Sequence, residues 1–483
     1  MNSYLAKLTP YYLQLAEEIG QVPDSDGVVK RSAGKLLPDV AKSIEHFVIE
    51  ALPPLIEGRM LTTGVSLDKN HYNSTNPYNI EGFKYNTHIL RAFYKLVDAG
   101  YIIVTTKGWQ DRTTGNSDNT KYRLTSKFKR WLLPKLREVG FYGELSTLIV
   151  DPAFLPNRPL LRVQRRKQSD ISVLEPRTEK IPFPVTAESE QICDNLQVLN
   201  KRLARTWIDL DLTDSQWKAL GEKLAEHKKK DRPRFIRYNE RQLYRVFHDT
   251  DFTTGGRYYG GWWQTIPRDY RKHVVINGKA TIEIDYSGLH PAILYAKEGL
   301  VLPDDPYTSL LGEKYRHLAK KLFNALINAK KDPKAPPRGV RIKFPDQQLS
   351  WEQIKERIYD VHAPIRHHFC TGAGLWLMHE DSVLATGVLH HFAEMGVPCL
   401  PVHDSFLIHH GYEEELRSKM RELFVECYGL EPSLKGDQVS FYLGTLPLPD
   451  RPTIEELLSA NDSPQDNRLA AFRALSKVSN SSR

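Results

Sequence analysis

The sequence is poor in cysteine and has no long apolar segment. Its four cysteines, among 483 residues, lie far apart, and none forms a C-x-x-C pair. This spacing supports neither a disulfide framework nor a zinc knuckle, and it favours a reducing compartment such as the cytoplasm. No run of about 18 apolar residues occurs, and the N-terminus lacks a basic segment followed by an apolar one. We therefore expect a soluble, cytoplasmic protein with no membrane partner.

The chain has fewer acidic than basic residues. Lysine and arginine number 67 against 59 acidic residues, which gives a formal charge of +8. Because the basic residues recur beside tyrosine and tryptophan, this balance favours a polyanionic partner. The length of the chain predicts two or three domains. We find no internal repeat in the sequence.

Residues 1–148 combine helical and strand patterns with a basic loop. A helix is predicted over residues 40–57 and a second over 85–98, followed by a strand at 101–104, a polar tip and the strand KYRLT. This order resembles a winged helix-turn-helix. The resemblance implies that the second helix enters a DNA groove while hairpin cations lie near phosphates, namely Lys107, Arg112, Lys121 and Arg123. A small interaction domain with a solvated basic loop is the alternative.

Residues 149–232 predict a connector and a helical, thumb-like region. Up to about residue 190 the segment is rich in proline and charge, so we expect little regular structure there. Two helices follow, roughly over 188–206 and 213–230, and the second begins with Thr213 as its N-cap. The last segment, 448–483, is expected to be a flexible tail.

Two segments place a carboxylate in an apolar strand pattern. In KATIEIDYSGLHPAILYAKEG, Asp285 ends an alternating strand and Pro291 suits the first turn of the next helix. In CLPVHDSFLI, Asp404 lies between apolar residues, where an ionised carboxylate is costly unless a cation or hydrogen-bond donors compensate it. Both positions suit metal ligands. A helix N-cap for Asp285 and a turn aspartate for Asp404 are the alternatives.

A helix between these segments carries cations and amides on one side. In EKYRHLAKKLFNALINAKK an apolar stripe faces one way, and four polar residues recur every four positions on the other side: Arg316, Lys320, Asn324 and Asn328. Two cations followed by two amides suit a triphosphate and a sugar or base. A surface helix with a solvated basic side is the alternative.

In this order the three segments resemble the palm and fingers motifs of family A DNA polymerases and of the single-subunit RNA polymerases of phages and mitochondria. IEIDYSGLHPAIL is similar to the first palm motif, RHLAKKLFNALINA to the fingers helix, and VHDSF to the second palm motif in its RNA-polymerase form. The resemblance covers roughly residues 235–445. It implies an α+β fold of the right-hand polymerase type, with an antiparallel palm sheet and helical fingers and thumb. The palm and fingers would occupy residues 233–447, after the winged-helix-like domain and the thumb-like region.

The resemblance also implies two-metal nucleotidyl transfer. Asp285, Asp404 and the main-chain carbonyl of Tyr286 would bind two Mg²⁺ ions, with Mn²⁺ as the alternative. Arg316 and Lys320 would neutralise the triphosphate, and Lys320 would also protonate the departing pyrophosphate. The remaining substrate-binding positions are Asn324, Asn328, Tyr286 and His290. His290 stands where the DNA enzymes keep a glutamate and Ser405 follows the second aspartate, so ribonucleotides are favoured.

A basic, glycine-rich segment precedes the first palm motif. In GGRYYGGWWQTIPRDYRK, glycines allow close approach of the backbone, aromatic rings offer stacking surfaces and cations suit phosphates. By the same resemblance we expect contacts to template and primer from this segment and from the second palm motif, at Arg257, Tyr258, Arg268, Arg271 and His403. Trp262 and Trp263 are expected in an aromatic core.

These patterns predict a template-directed nucleotidyltransferase that extends a nucleic-acid chain in replication or transcription. A DNA template is favoured, an RNA polymerase or primase-like activity fits as well, and the choice between NTPs and dNTPs stays open. One rival is a DNA-binding replication initiator or regulator with an inactive palm. A phosphodiesterase using the same two aspartates is another, although nucleases usually gather more carboxylates and a histidine base.

Overall fold

The computed structural model describes residues 4–21, 37–56, 62–67, 86–110, 117–142, 145, 148, 159–166, 178–226, 236–337, 349–436 and 472. Arg112 and, apart from Phe472, the predicted tail lie outside these residues. The chain divides into two compact units. Unit 1 comprises Met1–Pro159, Leu203–Gln242 and Tyr442–Arg483, and unit 2 comprises Leu160–Arg202 and Leu243–Phe441.

The described residues form a mixture of helices and strands, as the α+β prediction requires. The helices are α1 (Thr9–Gly20), α2 (Leu37–Ile56), α3 (Asn86–Asp98), α4 (Ser126–Glu138), α5 (Ala187–Ala204), α6 (Asp214–Glu226), α7 (Arg268–Arg271), α8 (Leu289–Lys297), α9 (Thr308–Leu311), α10 (Arg316–Asn328), α11 (Trp351–Val361), α12 (Gly374–Glu394) and α13 (Glu413–Tyr428). The strands are β1 (Thr63–Val65), β2 (Ile102–Thr106), β3 (Trp109–Gln110), β4 (Ser117–Asp118), β5 (Thr120–Leu124), β6 (Leu161–Arg166), β7 (Thr178–Lys180), β8 (Ile208–Leu210), β9 (Arg241–Phe247), β10 (Gly255–Gly261), β11 (Val274–Ile276), β12 (Lys279–Tyr286), β13 (Cys399–Val402), β14 (Ser405–His409) and β15 (Leu434–Gly436). None of the described helices is long and apolar enough to cross a membrane.

Unit 1 contains an antiparallel sheet of order β1-β5-β2 that packs on helices. Phe47 of α2, Phe93 of α3 and Tyr122 of β5 meet edge to face in its core, with ring centroids 5.4 to 6.0 Å apart. The Tyr122 hydroxyl donates to the Phe47 carbonyl over 2.9 Å, so the polar end of this buried ring is also satisfied. The helices predicted over 40–57 and 85–98 and the strands that follow the second one are confirmed.

The second helix expected in the middle of the chain begins as predicted. The Thr213 hydroxyl accepts a hydrogen bond from the Gln216 amide over 3.3 Å, and the Gln216 side chain accepts one from the Thr213 amide over 2.9 Å. These reciprocal bonds satisfy two backbone donors at the start of α6. The N-cap prediction for Thr213 is therefore confirmed.

The central sheet of unit 2 is built around β12. Strand β14 pairs antiparallel with one edge of β12, while β11 and β15 pair antiparallel with the other, and β13 continues the sheet beyond β14. In β12, Ile282, Ile284 and Tyr286 are buried while the residues between them are less so, as its alternating pattern requires. The last residues of β12 and the β13–β14 turn meet at one end of this sheet.

A second sheet of unit 2 has the order β10-β9-β6-β7. Strand β6 lies parallel to β9 with Leu161 opposite Arg245, although little regular structure was expected up to residue 190. That expectation is wrong for β6 because the strand pairs with β9 and β7 and buries two apolar side chains. Leu161 and Val163 are 2% and 1% exposed, so the strand has a buried part despite its high charge.

Candidate active site

The pairing of β12 with β14 brings the two predicted catalytic aspartates together. Asp285 pairs with Ser405, and the Tyr286 amide donates to the Asp404 carbonyl over 3.3 Å, so Asp404 lies opposite the residue after Asp285. Asp404 occupies the tight turn between β13 and β14, where His403 has a φ of 61°. A left-handed conformation in a residue other than glycine is uncommon and is typical of functional turns.

The Asp285 carboxylate is in an unfavourable electrostatic position. Burial, and then the charges of Asp404 and Glu283, raise its pKa to about 7, against the opposing effect of Arg268 and Lys320. Its Oδ1 atom is buried and accepts no hydrogen bond from any part of the chain that the structure describes. A buried carboxylate oxygen with no donor, next to a second carboxylate, fits a divalent cation such as Mg²⁺.

Glu283, two residues before Asp285 on the same strand, is a third carboxylate that the sequence argument missed. Arg271 donates to both of its oxygens over 2.9 Å, and the Ser405 hydroxyl donates to Oε1 over 2.7 Å. Arg271, for which a nucleic-acid contact is predicted, thus forms a half-buried ion pair with Glu283. The period of two along a strand is the signal that would have placed Glu283 and Asp285 on one face.

Cations of α7 and α10 line a cavity beside Asp285. The cavity has a volume of about 430 Å³, and its lining includes Asp285 together with Arg268, Arg316 and Lys320. These three cations were predicted from the sequence, Arg268 as a nucleic-acid contact and the other two as phosphate ligands. The structure brings all three to the same cavity as the aspartate.

Asp305, which the sequence argument also missed, positions Arg316. Its Oδ2 atom accepts from Nε of Arg316 over 2.7 Å, and its carboxylate also accepts from Thr308 and from the Tyr307 amide. Although burial raises the pKa of Asp305, the hydrogen bonds from Thr308 and Arg316 outweigh burial and hold it well below its usual value. Lys320 also lies near Tyr307, with its Nζ atom 5.9 Å from the Tyr307 ring centroid. An Asp followed three residues later by Thr at a helix start was the available signal.

The two amides of α10 do not reach this cavity. Asn324 and Asn328 are absent from its lining, and the Asn328 side chain donates to the Asn324 carbonyl over 2.7 Å. A Cβ at Gly374, the first residue of α12, would lie 1.8 Å from Oδ1 of Asn328. Asn328 therefore packs against the start of α12, and the structure does not bring it together with the phosphate-binding candidates.

An ion pair between Arg257 and the buried Asp381 lies close to Asp404. Nε of Arg257 donates to Asp381, which is 1% exposed, and Nη2 of Arg257 lies 3.2 Å from Nε2 of His290. Burial and then Arg257 lower the pKa of His290 to about 4, so its imidazole is neutral near pH 7. Burial raises the pKa of Asp381 to about 6, against the effect of Arg257, while Asp404 adds to the rise. The Arg257 side chain, for which a nucleic-acid contact is predicted, is held in this ion pair.

Several residues of the glycine-rich segment belong to the core. Tyr258, a predicted nucleic-acid contact, is 3% exposed, and its hydroxyl lies 2.8 Å from that of Thr386, so its ring packs inward. Trp262 and Trp263 are buried, which confirms their prediction as core residues. Gly256, with φ 87°, would place a Cβ 2.7 Å from both Phe247 and Ser382. The close approach that this glycine allows is therefore to α12 and β9.

Tyr286 also has a core side chain. Its hydroxyl donates to the Met420 carbonyl over 2.7 Å, its ring packs on Phe424, and burial raises its pKa well above the usual range. Its backbone amide is the group that bonds to Asp404. The side chain of Tyr286 is thus a core group that does not line the cavity beside Asp285, and its main chain lies at the junction of the two aspartates.

A row of stacked side chains on the outer face of the second sheet ends beside Asp404. The Arg162 guanidinium lies 3.5 Å from the Tyr244 ring centroid, Tyr244 stacks on Tyr259 at 6.0 Å, and Tyr259 meets the His403 ring at 5.7 Å. We call these four residues the aromatic row. Each is half-buried, so each keeps accessible surface. Arg162, Tyr244 and Tyr259 were not predicted, because β6 lies far from β9 and β10 in sequence and the pairing of these strands decides which rings meet.

The site can hold a divalent cation and a polyphosphate side by side. Two carboxylates, one with an unsatisfied oxygen, supply the ligands that Mg²⁺ prefers, and three nearby cations match phosphate oxygens. No protein-family model matches this chain, and no curated protein sequence matches it. The chemistry of the site is therefore the basis for assigning a function.

Proposed function

We propose that the protein is a metal-dependent, template-directed nucleotidyltransferase related to family A DNA polymerases and single-subunit RNA polymerases. One observation carries the proposal. Asp285 and Asp404 meet across a strand pair beside a cavity that Arg268, Arg316 and Lys320 line. Nucleotidyl transfer needs this combination, because a cation site must adjoin a site for a triphosphate. The antiparallel sheet around β12 supports assignment as a palm.

In this proposal Asp285 and Asp404, with the carbonyl of Tyr286, hold two Mg²⁺ ions, or Mn²⁺ in their place. Such ions, when bound, lower the barrier for attack of a 3′-hydroxyl on the α-phosphate and for departure of pyrophosphate. The chain keeps the ligands in register through the bond between the Tyr286 amide and the Asp404 carbonyl. Glu283 is already neutralised by Arg271, so two carboxylates remain for the ions.

The cations of α10 have separate roles in the proposal. Arg316, oriented by Asp305, binds the outer phosphates of the triphosphate with a fixed guanidinium. Lys320 is exposed at the cavity, and its ammonium group donates a proton to the departing pyrophosphate oxygen. Both side chains project from one face of a helix whose other face is buried, which holds them at a constant spacing.

Nucleic acid is the proposed macromolecular partner of both units. The aromatic row supports a path for a single strand that ends at His403, beside the aspartates, because bases stack on such rings whatever their sequence. In unit 1, the β1-β5-β2 sheet with α2 and α3 supports a winged helix, with Lys107, Lys121 and Arg123 on its β2 to β5 segment near DNA phosphates. A DNA template in a cytoplasmic setting completes the proposal, and the four free cysteines fit a reducing compartment.

Ribonucleotides are the proposed substrates. No carboxylate stands at position 290, and the neutral His290 side chain is held by Arg257. A comparison of NTPs with dNTPs on a primed DNA template, and then without a primer, tests this choice. Faster incorporation of dNTPs would overturn the ribonucleotide assignment, and extension without a primer would favour a primase-like activity.

The decisive test removes each aspartate while preserving its shape. Asp285→Asn and Asp404→Asn should each lower incorporation of labelled nucleotide by about 10³-fold or more, since each removes a ligand of the reacting ions. Binding of a labelled DNA duplex should not change in either variant. Asp304→Asn, which alters an exposed carboxylate lining the same cavity, is the control and should keep its activity.

Three outcomes would reject the assignment. Full activity in either aspartate variant would show that the pair does not bind the reacting ions. Duplex binding with no incorporation by the unaltered protein, across NTPs, dNTPs, Mg²⁺ and Mn²⁺, would favour an initiator or regulator with an inactive palm. Hydrolysis of a phosphodiester that depends on both aspartates would favour the phosphodiesterase.

A further inference from the structure

Two adjacent histidines and a glutamate converge in unit 2, among residues that the proposed reaction does not use. Glu298 directly follows α8, and His367 and His368 end the short 3₁₀ helix Ala363–His368. One ligand atom from each side chain lies within 4.8 Å of the others. Both imidazoles direct Nε2 at the same carboxylate oxygen, Oε1 of Glu298, over 3.1 Å and 3.3 Å.

We propose that Glu298, His367 and His368 bind a zinc ion, and we call this group the zinc trio. Zinc in proteins takes imidazole nitrogen and carboxylate oxygen at about 2.0 to 2.1 Å in tetrahedral geometry. Neighbouring ligand atoms of such a tetrahedron are separated by roughly 3.3 Å. The two nitrogen-to-oxygen separations in the trio match that edge.

The fourth position of the proposed tetrahedron faces solvent. His367 is 60% exposed and Glu298 32% exposed, so an ion has an entry path and His367 has room to adjust its ring. Lys297, which precedes Glu298 in sequence, is directed elsewhere, with Nζ 5.0 Å from the Trp376 ring centroid and 3.8 Å from Glu380. Three protein ligands and one open position suit water, or a ligand from another molecule.

An ordinary ion pair explains the arrangement less well. One histidine suffices for a pair with a carboxylate, as His391 and Glu415 illustrate with a single 2.8 Å contact. In the trio a second imidazole approaches the same oxygen, with the two histidine rings 4.1 Å apart between centroids. Two protonated imidazoles at this distance repel each other, whereas two neutral ones can share a metal ion. Imidazole ligands also select zinc and similar transition metals over Mg²⁺.

A zinc ion at the trio would tie the end of α8 to the 3₁₀ helix that precedes α12. Helix α8 begins shortly after Asp285, and α12 carries Asp381, so both elements also support the aspartate site. The ion would therefore stabilise unit 2 without taking part in nucleotide transfer. The inference does not depend on the proposed function, because the trio shares no residue with the cavity beside Asp285.

The test measures zinc binding to the full chain. The protein carries Asp285→Asn and Asp404→Asn, so that zinc cannot bind at the aspartate pair, and it is freed of metal with a chelator that is then removed. Isothermal titration with zinc chloride should give one site per chain, and Co²⁺ in its place should give the intense visible absorption of tetrahedral coordination. Added zinc should raise the melting temperature by several degrees, on the order of 5 °C.

The exposed ligand is changed first, since its loss does not threaten the fold. His367→Ala should weaken zinc binding by about tenfold or more, as should Glu298→Gln. His391→Ala, which disrupts the ordinary histidine and glutamate pair, is the matched control and should bind zinc as before. Absence of zinc binding at millimolar concentration, or equal binding before and after His367→Ala, would overturn the proposal.

Discussion

At the scale of single residues, the candidate site contains one carboxylate in an ion pair, Glu283, and two candidate metal ligands, Asp285 and Asp404. Glu283 is neutralised by Arg271, whereas Asp285 keeps a buried oxygen without a donor. Leaving a carboxylate in this state costs stability unless a cation binds. Sites that bind charged ligands commonly accept such a cost, because the same arrangement strengthens the interaction with the ligand.

This cost predicts how stability depends on pH. The pKa of Asp285 is about 7 in the folded protein against an ordinary 3.8, so the folded state binds its proton more tightly than the unfolded state. The resulting stabilisation is complete below about pH 4 and is lost as the pH rises through about 7. Asp285→Asn cannot ionise, so the variant should gain stability over the unaltered protein with rising pH, on the order of 4 kcal/mol by pH 8.

Urea unfolding with a chelator present, at pH 5 and pH 8, measures this difference. Asp304→Asn serves as the control. Because the Asp304 carboxylate is exposed, this variant should unfold like the unaltered protein at both pH values. An Asp285→Asn variant whose stability differs from the unaltered protein by the same amount at both pH values would contradict the elevated pKa.

At the scale of elements, α10 and the second sheet each divide their two faces between packing and chemistry. The buried face of α10 consists of Ala319, Leu322, Phe323, Leu326 and Ile327. Its first two turns present Arg316 and Lys320 to the cavity, and the side chain of Asn328 in its last turn packs against α12. In the sheet, the inner face of β9 and β10 packs on α12 and the outer face carries the aromatic row.

The helix provides a matched pair of lysines for a test. Lys320→Ala should raise the KM for the nucleoside triphosphate by about 10- to 100-fold, because a charge-assisted contact to phosphate is lost. Lys321→Ala removes the same charge from the next position, which does not line the cavity, and should leave KM unchanged. Steady-state incorporation kinetics distinguish the two variants, and equal effects would mean that the charge acts without a specific contact.

The aromatic row predicts a contribution from stacking. Tyr244→Ala should weaken binding of a labelled single strand by about 5- to 100-fold, whereas Tyr244→Phe should bind almost as well as the unaltered protein because the ring remains. Fluorescence anisotropy measures both affinities. Tyr142→Ala, at an exposed tyrosine of unit 1, is the control. Equal loss in the alanine and phenylalanine variants at position 244 would assign the contact to the hydroxyl and reject stacking.

At the scale of the whole molecule, the chain forms two units that contain different structural elements and different candidate sites. Unit 1 has a small sheet with α1 to α4 around an aromatic core, and unit 2 contains both the aspartate pair and the zinc trio. The excess of positive charge belongs to the chain as a whole. If unit 1 binds duplex DNA and unit 2 transfers nucleotides, changes in unit 1 should alter DNA affinity without altering the chemical step.

Charge reversal in unit 1 tests this division. Lys107→Glu combined with Arg123→Glu should weaken duplex binding and reduce the slope of log affinity against log salt by about 1 to 2, since each cation displaces about one counterion. Incorporation at saturating primed template should stay the same. Lys201→Glu combined with Lys218→Glu, at exposed positions on α5 and α6, makes the same change in net charge and is the control. An unchanged slope in the double variant would argue that this segment makes no phosphate contact.

Local patterns in the sequence were sufficient for the elements and for some of the chemistry. Asp285 at a strand end, Asp404 in a turn and the cations of α10 follow from periods of 2 and 3.6 residues, and the structure agrees with each of these placements. The core position of Trp262 and Trp263 and the cap of α6 follow from similarly local signals. Neighbouring residues decide such features, so they can be read from the sequence.

Tertiary structure alone decided which side of each strand is covered and which distant groups meet. Tyr258 packs inward and Arg257 pairs with Asp381 because α12 covers β10, and nothing in GGRYYGG specifies that partner. The aromatic row and the zinc trio likewise join residues from separate elements. Alternation along a strand is a local property, but the burial of one face depends on elements far away in the chain, so only folding decides it.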